Sequence, residues 1–166
     1  MVRTALVWVL IFVVCLACQS TLAYTIAFGR IRPDFVVLAL FTFGMRHGVS
    51  PGIFVGFLVG LTQDLYAPSI LGQYALAKTL TGFFSGIFNE KIIRTDPPVK
   101  AILLCVSFLI HDGVFLFSHT IIESGGPGSI FSELLFVSLP RTAYSLAFAG
   151  LFSLLFFLVK PTSSLK

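Results

Sequence analysis

The chain has 166 residues, of which 57% are hydrophobic and only 11% are charged, and its mean hydropathy is +0.99. A soluble globular domain has about a quarter of its residues charged, so this composition excludes one and predicts an integral membrane protein. The net charge of +4 would suggest nucleic-acid binding in a soluble protein. Here most basic residues stand at the ends of apolar runs, which is typical of membrane topology, and no nucleic-acid partner is predicted.

Apolar runs with short polar breaks fill nearly the whole chain and predict an all-α integral membrane protein, a compact bundle of about six transmembrane helices. The bundle forms a single polytopic domain, 1–166. The first apolar run follows Arg3 and has some features of a signal peptide. It continues as far as Phe28, so we predict an uncleaved helix. The predicted spans are approximately 4–24, 33–47, 51–66, 69–89, 99–122 and 141–160.

The basic residues favour a topology with both termini on the cytoplasmic side. With the N-terminus inside, the inner segments hold seven Lys and Arg residues and the outer segments three, when Lys78 is set aside as intramembrane. The reverse orientation would invert this asymmetry. The inner group is Arg3, Arg46, Lys91, Arg94, Lys100, Lys160 and Lys166, and the outer group is Arg30, Arg32 and Arg141.

Three helix starts carry the residues expected there, with Pro at the first helical position or Ser as a cap. They are Pro33 followed by Asp34, Ser50 followed by Pro51, and Ser69 before Ile70. Asp34 is also well placed because an anionic side chain stabilises a helix N-terminus.

The segment 123–140 allows two interpretations. A Gly-Pro turn is followed by a short run in which Ile130, Leu134 and Val137 share one face, as in an amphipathic helix on the outer surface. The same residues also fit the start of a long, proline-kinked sixth span. The sequence does not choose between them.

Glycines form a stripe along the third span and another along the fourth. Residues four apart lie on the same side of a helix, and small residues there let two helices approach closely in a membrane. Each stripe also includes charged residues, one in the third span and two in the fourth, so a helix-packing surface and intramembrane charge lie on the same side of the helix. The third span has Gly52, Gly56, Gly60 and Asp64, and the fourth has Lys78, Gly82, Gly86 and Glu90.

Lys78 lies deep in the fourth span and needs an acidic partner. A charge at the bilayer centre costs about 2.5–3.5 kcal/mol on insertion scales. Counting residues from the span ends places both Asp64 and Asp112 within reach of the lysine, and we give them equal weight. The pattern predicts an ion pair that fixes helix register, although intramembrane charges also mark ion and substrate paths.

No catalytic, cofactor or metal site is predicted. His111, Asp112 and His119 include metal-ligand types, but adjacent helical residues point about 100° apart and no third strong ligand follows. The chain has no GxSxG, HExxH or phosphate-loop motif, so we predict that it is not an enzyme. The cysteines stand in apolar runs and are predicted to pack there: Cys15, Cys18 and Cys105.

Three motifs together resemble the bacterial rod shape-determining protein MreD family. Arg32, Pro33 and Asp34 open the second span as RPD, GFLVGLTQD at 56–64 closes the third, and LGQYALAKTLTGFFSG at 71–86, which includes Gly72, lies in the fourth. Their order and spacing carry the resemblance, and the chain length and six-span layout agree with it.

The resemblance implies a non-enzymatic inner-membrane scaffold of the machinery that elongates the peptidoglycan wall and maintains rod shape. The partners implied are the bitopic protein MreC most directly, then the filament protein MreB and RodA with its class B penicillin-binding transpeptidase. The lipid bilayer is its surroundings, and no cofactor is implied. The family bundle is similar to the substrate-binding subunits of energy-coupling-factor transporters. A small-molecule transporter or a substrate-binding subunit of a vitamin-type transporter is therefore the alternative.

Overall fold

The computed structural model describes residues 2–21, 33–67, 71–90, 96–122, 140–144 and 147, and these are helical apart from short connections. An all-α fold is therefore confirmed for the described residues. Residues 140–144 are also helical. The helices are α1 (Val2–Ser20), α2 (Phe35–His47), α3 (Val49–Tyr66), α4 (Gln73–Ile87) and α5 (Pro97–Ile122).

Several predictions fall outside these ranges. Arg32 and Ser69 are not among the described residues, and neither is the segment 123–139. The two interpretations of that segment therefore stay open. Of the predicted sixth span, 141–160, only 141–144 and 147 are described.

Two helix starts differ from the predictions. Pro51 was expected at the first helical position, but α3 begins two residues earlier at Val49. Gly48 has φ +92°, a conformation that glycine adopts without strain, and this single residue separates α2 from α3. Pro33 also precedes the helix, because Asp34 is the N-cap of α2 and its Oδ1 accepts from the backbone N–H groups of Val36 and Val37.

The helix α2 is buried on two sides, as expected of a helix that is apolar all round. One side packs against Phe12 of α1 and Val59 of α3, and the other against α5. The first cluster comprises Phe12, Val36, Ala39, Leu40, Phe43 and Val59, and the second Val37, Phe41, Met45, Leu103, Leu104 and Phe108.

The helices α3 and α4 are antiparallel, and their glycines lie at the contact between them. A Cβ atom placed on Gly52 would lie 2.5 Å from the carbonyl oxygen of Gly82, and one on Gly56 2.5 Å from that of Lys78. Gly60 lies against the backbone of Ala75, and Gly86 against that of Val49. Backbone therefore packs on backbone along the whole pair, which only glycine permits.

Two of the described helices are long and apolar enough to cross a membrane. Their apolar windows are Arg3–Ser20 in α1 and Pro98–Ser118 in α5, and the apolar helix α2 is shorter. Together with the all-helical fold, these segments are consistent with a helical membrane protein.

Candidate functional site

The Lys78 ammonium group lies at the centre of a buried polar cluster. The side chain on α4 has no solvent exposure, and its Nζ lies 3.8 Å from Oδ2 of Asp34 and 3.2 Å from Nε2 of His111. The Tyr74 ring, one turn earlier on α4, has its centroid 5.0 Å from Nζ, within the range of a cation–π contact. Lys78 is thus held between α2 and α5 by groups that each favour a positive charge or accept a hydrogen bond.

Asp34 links the cluster to the N-terminus of α2. One of its oxygens caps the helix, while the other faces Lys78. The next residue, Phe35, donates its backbone N–H to Oε1 of Gln19 near the end of α1, 3.1 Å away. The beginning of α2 is therefore fixed to α1 through Gln19 and to α4 through the carboxylate.

His111 and Asp112 extend the cluster to the helical stretch 140–144. The Nδ1 atom of His111 lies 3.1 Å from Oδ1 of Asp112, and Nη1 of Arg141 donates to the same oxygen at 3.0 Å. The side chains of His111 and Asp112 are buried, and that of Arg141 is 26% exposed. The side chain of Arg141 is more exposed than those of Asp34, Lys78, His111 and Asp112.

We call these five residues, Asp34, Lys78, His111, Asp112 and Arg141, the charge network. It contains two carboxyl groups, one amine and one guanidinium group, so its formal charge is zero when both carboxyl groups are ionised, the lysine is protonated and the imidazole is neutral. A charge in a low-dielectric interior is destabilising unless it is paired and hydrogen-bonded. Here each charge has an opposite charge within 4 Å. The arrangement compensates buried charge and ties α2, α4, α5 and 140–144 together.

Asp64, one of the two candidate partners of Lys78, lies at the N-terminus of α4. Its Oδ1 and Oδ2 accept from the backbone N–H groups of Tyr74 at 3.0 Å and Ala75 at 2.9 Å. The N-cap position of α4 is Gly72, with φ +98° and no side chain to cap the helix, so the first N–H groups need another acceptor. A carboxylate at a helix N-terminus also interacts favourably with the helix dipole.

Asp112, the other predicted partner of Lys78, pairs with Arg141. The carboxylate within 4 Å of the lysine is Asp34, which was not considered as its partner, while the charges of Asp112 and Asp64 also attract the ammonium group. Counting residues placed Asp112 at the correct depth but gave no information on rotation about the helix axis. Since adjacent residues point about 100° apart, His111 faces Lys78 while Asp112 turns toward Arg141.

Three residues of this cluster were not identified from the sequence: His111, Arg141 and Tyr74. Arg141 was assigned only to the outer segments, because a basic side chain at a span end can reach the interface and needs no acidic partner. His111 was considered only as a metal ligand. Within the described helices and turns, no three His, Cys, Asp or Glu side chains come close enough to hold a metal ion.

Comparison with known proteins identifies the family. The family model of the rod shape-determining protein MreD matches residues 2–160. The match includes α1 through α5 and the helical stretch 140–144. Comparisons with curated proteins and with solved structures give no match, so the similarity to transporter substrate-binding subunits stays a prediction. Because the family model covers nearly the whole chain, the protein belongs to the MreD family and has a role in determining rod shape.

Proposed function

We propose that this protein is a non-enzymatic, multi-pass scaffold in the bacterial inner membrane, with about six spans and both termini in the cytoplasm. It would maintain rod shape by binding MreC and, through the same assembly, the peptidoglycan-synthesis proteins of the elongation machinery. Family membership supports the role in cell shape, and the arrangement of the described helices supports the mode of action.

One observation carries the scaffold interpretation: charged side chains are buried inside the bundle, and large apolar side chains are exposed on its outside. The members of the charge network are paired within the network, whereas several of the described helices, α1 and α4 among them, present exposed apolar side chains. In a bilayer such surfaces contact lipid or another helix, so partners would be bound through helix faces. The α1 face comprises Leu6, Val9, Leu10 and Val13, and the α4 face comprises Leu76, Leu80, Phe83 and Ile87.

The charge network supports this function by fixing the positions of the helices. A scaffold must keep its outward faces in one arrangement, and buried ion pairs that join several helices restrict their rotation and register. A substrate-binding subunit would instead need polar groups open to a ligand. Asp34, Lys78 and His111 are buried, and Asp34 and His111 both contact Lys78, which favours the structural role.

The experiment that tests the proposal is affinity purification from native membranes of the rod-shaped host, with a tag on the full-length chain. We expect MreC to co-purify, and depletion of the protein to convert rods into rounded cells. Rod-shaped cells after complete depletion would contradict the role in this host. A tagged protein that restores rods without retaining MreC would contradict the proposed mode of action.

The two outward faces can then be compared with matched variants. Leu76→Ser with Phe83→Ser alters the α4 face, and Leu6→Ser with Val13→Ser alters the α1 face. These side chains are at least 43% exposed, so the changes should leave the bundle folded. We expect one double variant to lose MreC and rod shape together while the other keeps both. If both variants behaved as the unaltered protein, binding through these faces would be excluded.

A further inference from the structure

The imidazole of His111 stands between a cation and an anion, and these neighbours determine where its hydrogen lies. The ammonium group of Lys78 can only donate hydrogen bonds, and an ionised Asp112 can only accept them. Nε2 of His111 is 3.2 Å from Nζ of Lys78, so this nitrogen must be the acceptor. Nδ1 is 3.1 Å from Oδ1 of Asp112, so this nitrogen must be the donor. Both requirements are met by one species, the neutral ring with its hydrogen on Nδ1.

We infer that His111 is held as a neutral imidazole protonated on Nδ1, and that Arg141 is the positioning residue that holds it so by acting through Asp112. Nη1 of Arg141 donates to the same Oδ1 atom that faces the imidazole, at 3.0 Å. The guanidinium group therefore keeps the carboxylate charged and oriented. The oriented carboxylate selects Nδ1 as the protonated nitrogen and leaves the Nε2 lone pair directed at Lys78.

The alternative states of the ring conflict with the groups that surround it. Asp34 faces the ring from α2, Lys78 and Tyr74 from α4, and Arg141 from 140–144, while Asp112 lies next to His111 on α5. An imidazolium would place a second cation 3.2 Å from Nζ and give the network a net positive charge inside the bundle. A ring protonated only on Nε2 would set a donor against the ammonium group and a lone pair against the carboxylate.

This inference adds a chemical role to the charge network that the proposed scaffold function does not require. The imidazole works as a neutral bridge: it accepts from Lys78 on one side and donates to Asp112 on the other. Because the ring is neutral, Asp34 is the counter-charge of the Lys78 ammonium group, and Asp112 is the counter-charge of the Arg141 guanidinium group. Arg141 therefore influences which groups pair with Lys78, although it acts through Asp112 and His111 and not by direct contact.

Solid-state NMR of the full-length chain in lipid bilayers tests the ring state directly. The protein would carry ¹⁵N-histidine and the substitutions His47→Gln and His119→Gln, so that only His111 gives signals. Protonated and unprotonated ring nitrogens have well-separated ¹⁵N shifts, and their proton couplings distinguish the tautomers. We expect a protonated Nδ1 and an unprotonated Nε2 at neutral pH. Two protonated nitrogens, or a hydrogen on Nε2 alone, would overturn the inference.

The role of Arg141 is tested by two substitutions in the same labelled background. Arg141→Met removes the guanidinium and should replace the single tautomer by a mixture or by the imidazolium, whereas Arg141→Lys should preserve it. A spectrum unchanged by Arg141→Met would refute the positioning role. As a control, a protein that retains only His47, whose Nδ1 contacts the backbone oxygen of Phe43 at 3.1 Å, should be insensitive to Arg141→Met.

Because Arg141→Met could prevent folding, a distance in the unaltered protein provides a second test. Dipolar recoupling between the ¹⁵N-labelled guanidinium of Arg141 and the ¹³C-labelled carboxyl carbon of Asp112 should show direct contact, and the carboxyl ¹³C shift should be that of an ionised group. No measurable coupling, or a protonated carboxyl group, would refute the role of Arg141 whatever the behaviour of the variants.

Discussion

Asp34 and Lys78 form an ion pair between α2 and α4, with Oδ2 and Nζ 3.8 Å apart and both side chains buried. The same carboxylate caps α2 through its other oxygen. One residue therefore stabilises a helix terminus and compensates a buried cation. Asn caps a helix about as well as Asp, so Asp34→Asn removes the charge with little loss of the cap.

The first prediction concerns the cost of breaking this pair. Lys78→Met leaves the Asp34 carboxylate buried without its cation, which should destabilise the bundle by about 3–5 kcal/mol. Lys78→Met combined with Asp34→Asn should recover part of this loss because neither buried charge remains. The measurement is the free energy of unfolding by steric trapping in bicelles, supported by the thermal midpoint in detergent.

The matched control for this cycle is Lys78→Met combined with Asp64→Asn. Asp64 bonds to the backbone of α4, so its neutralisation should give no recovery and should add its own loss. Equal recovery by Asp34→Asn and Asp64→Asn would show that the lysine has no preferred carboxylate and would contradict the pairing.

The second prediction concerns the cap that Asp64 provides to α4. Asp64→Ala leaves the N–H groups of Tyr74 and Ala75 without their acceptor and should cost about 1–3 kcal/mol. Hydrogen exchange at these two amides should accelerate more than at the middle of α4. Thr62→Ala is the control, because that exposed hydroxyl bonds only within its own helix, to the Leu58 carbonyl oxygen. If exchange at Tyr74 were unchanged in Asp64→Ala, the capping role would be refuted.

The helical fold and the stripe of close contact follow from regular sequence patterns. Hydropathy gives the described helices to within a few residues, because Gly, Pro and charged residues separate the apolar runs. Glycines four residues apart mark where α3 meets α4, because the period of the helix brings them to one face. Both features depend on the local sequence and on helix geometry alone.

The contact between Asp34 and Lys78 was not predicted because Asp34 was considered only as a residue at the start of the second span. The predicted span, 33–47, already has about the length of α2, which has 13 residues. At 1.5 Å per residue α2 is about 20 Å long, shorter than the ~30 Å hydrocarbon core, so its N-cap can lie deep in the bundle beside Lys78. The rotation of each helix about its axis and the packing of the helices decide such contacts, and a residue count from predicted span ends supplies neither.

The third prediction contrasts the buried pair with an exposed one. Glu90 and Lys100 form an ion pair with Oε1 and Nζ 2.7 Å apart, and their side chains are 38% and 40% exposed. Exposed pairs contribute little because water and salt screen them. A double-mutant cycle with Glu90→Gln and Lys100→Met should give a coupling energy below about 1 kcal/mol that falls as salt is raised. A coupling as large as that between Asp34 and Lys78 would contradict this explanation.

The fourth prediction concerns the glycine contact between α3 and α4. In Gly56→Ala the added methyl group would lie 2.5 Å from the Lys78 carbonyl oxygen and 3.0 Å from its carbonyl carbon. Neither helix backbone can move aside without disturbing the rest of the pair. We therefore expect a loss of about 1–3 kcal/mol from overpacking, which exceeds the gain of up to about 1 kcal/mol in helix propensity.

Gly113→Ala in α5 is the matched control for Gly56→Ala. The substitution is chemically the same and also lies within a long apolar helix, but a Cβ there would meet no described atom within 4 Å. Only the gain in helix propensity should remain, so Gly113→Ala should be neutral or slightly stabilising. The two variants are compared by thermal midpoint in one detergent. If both shifted the midpoint equally, the loss in Gly56→Ala could not be assigned to contact between the helix backbones.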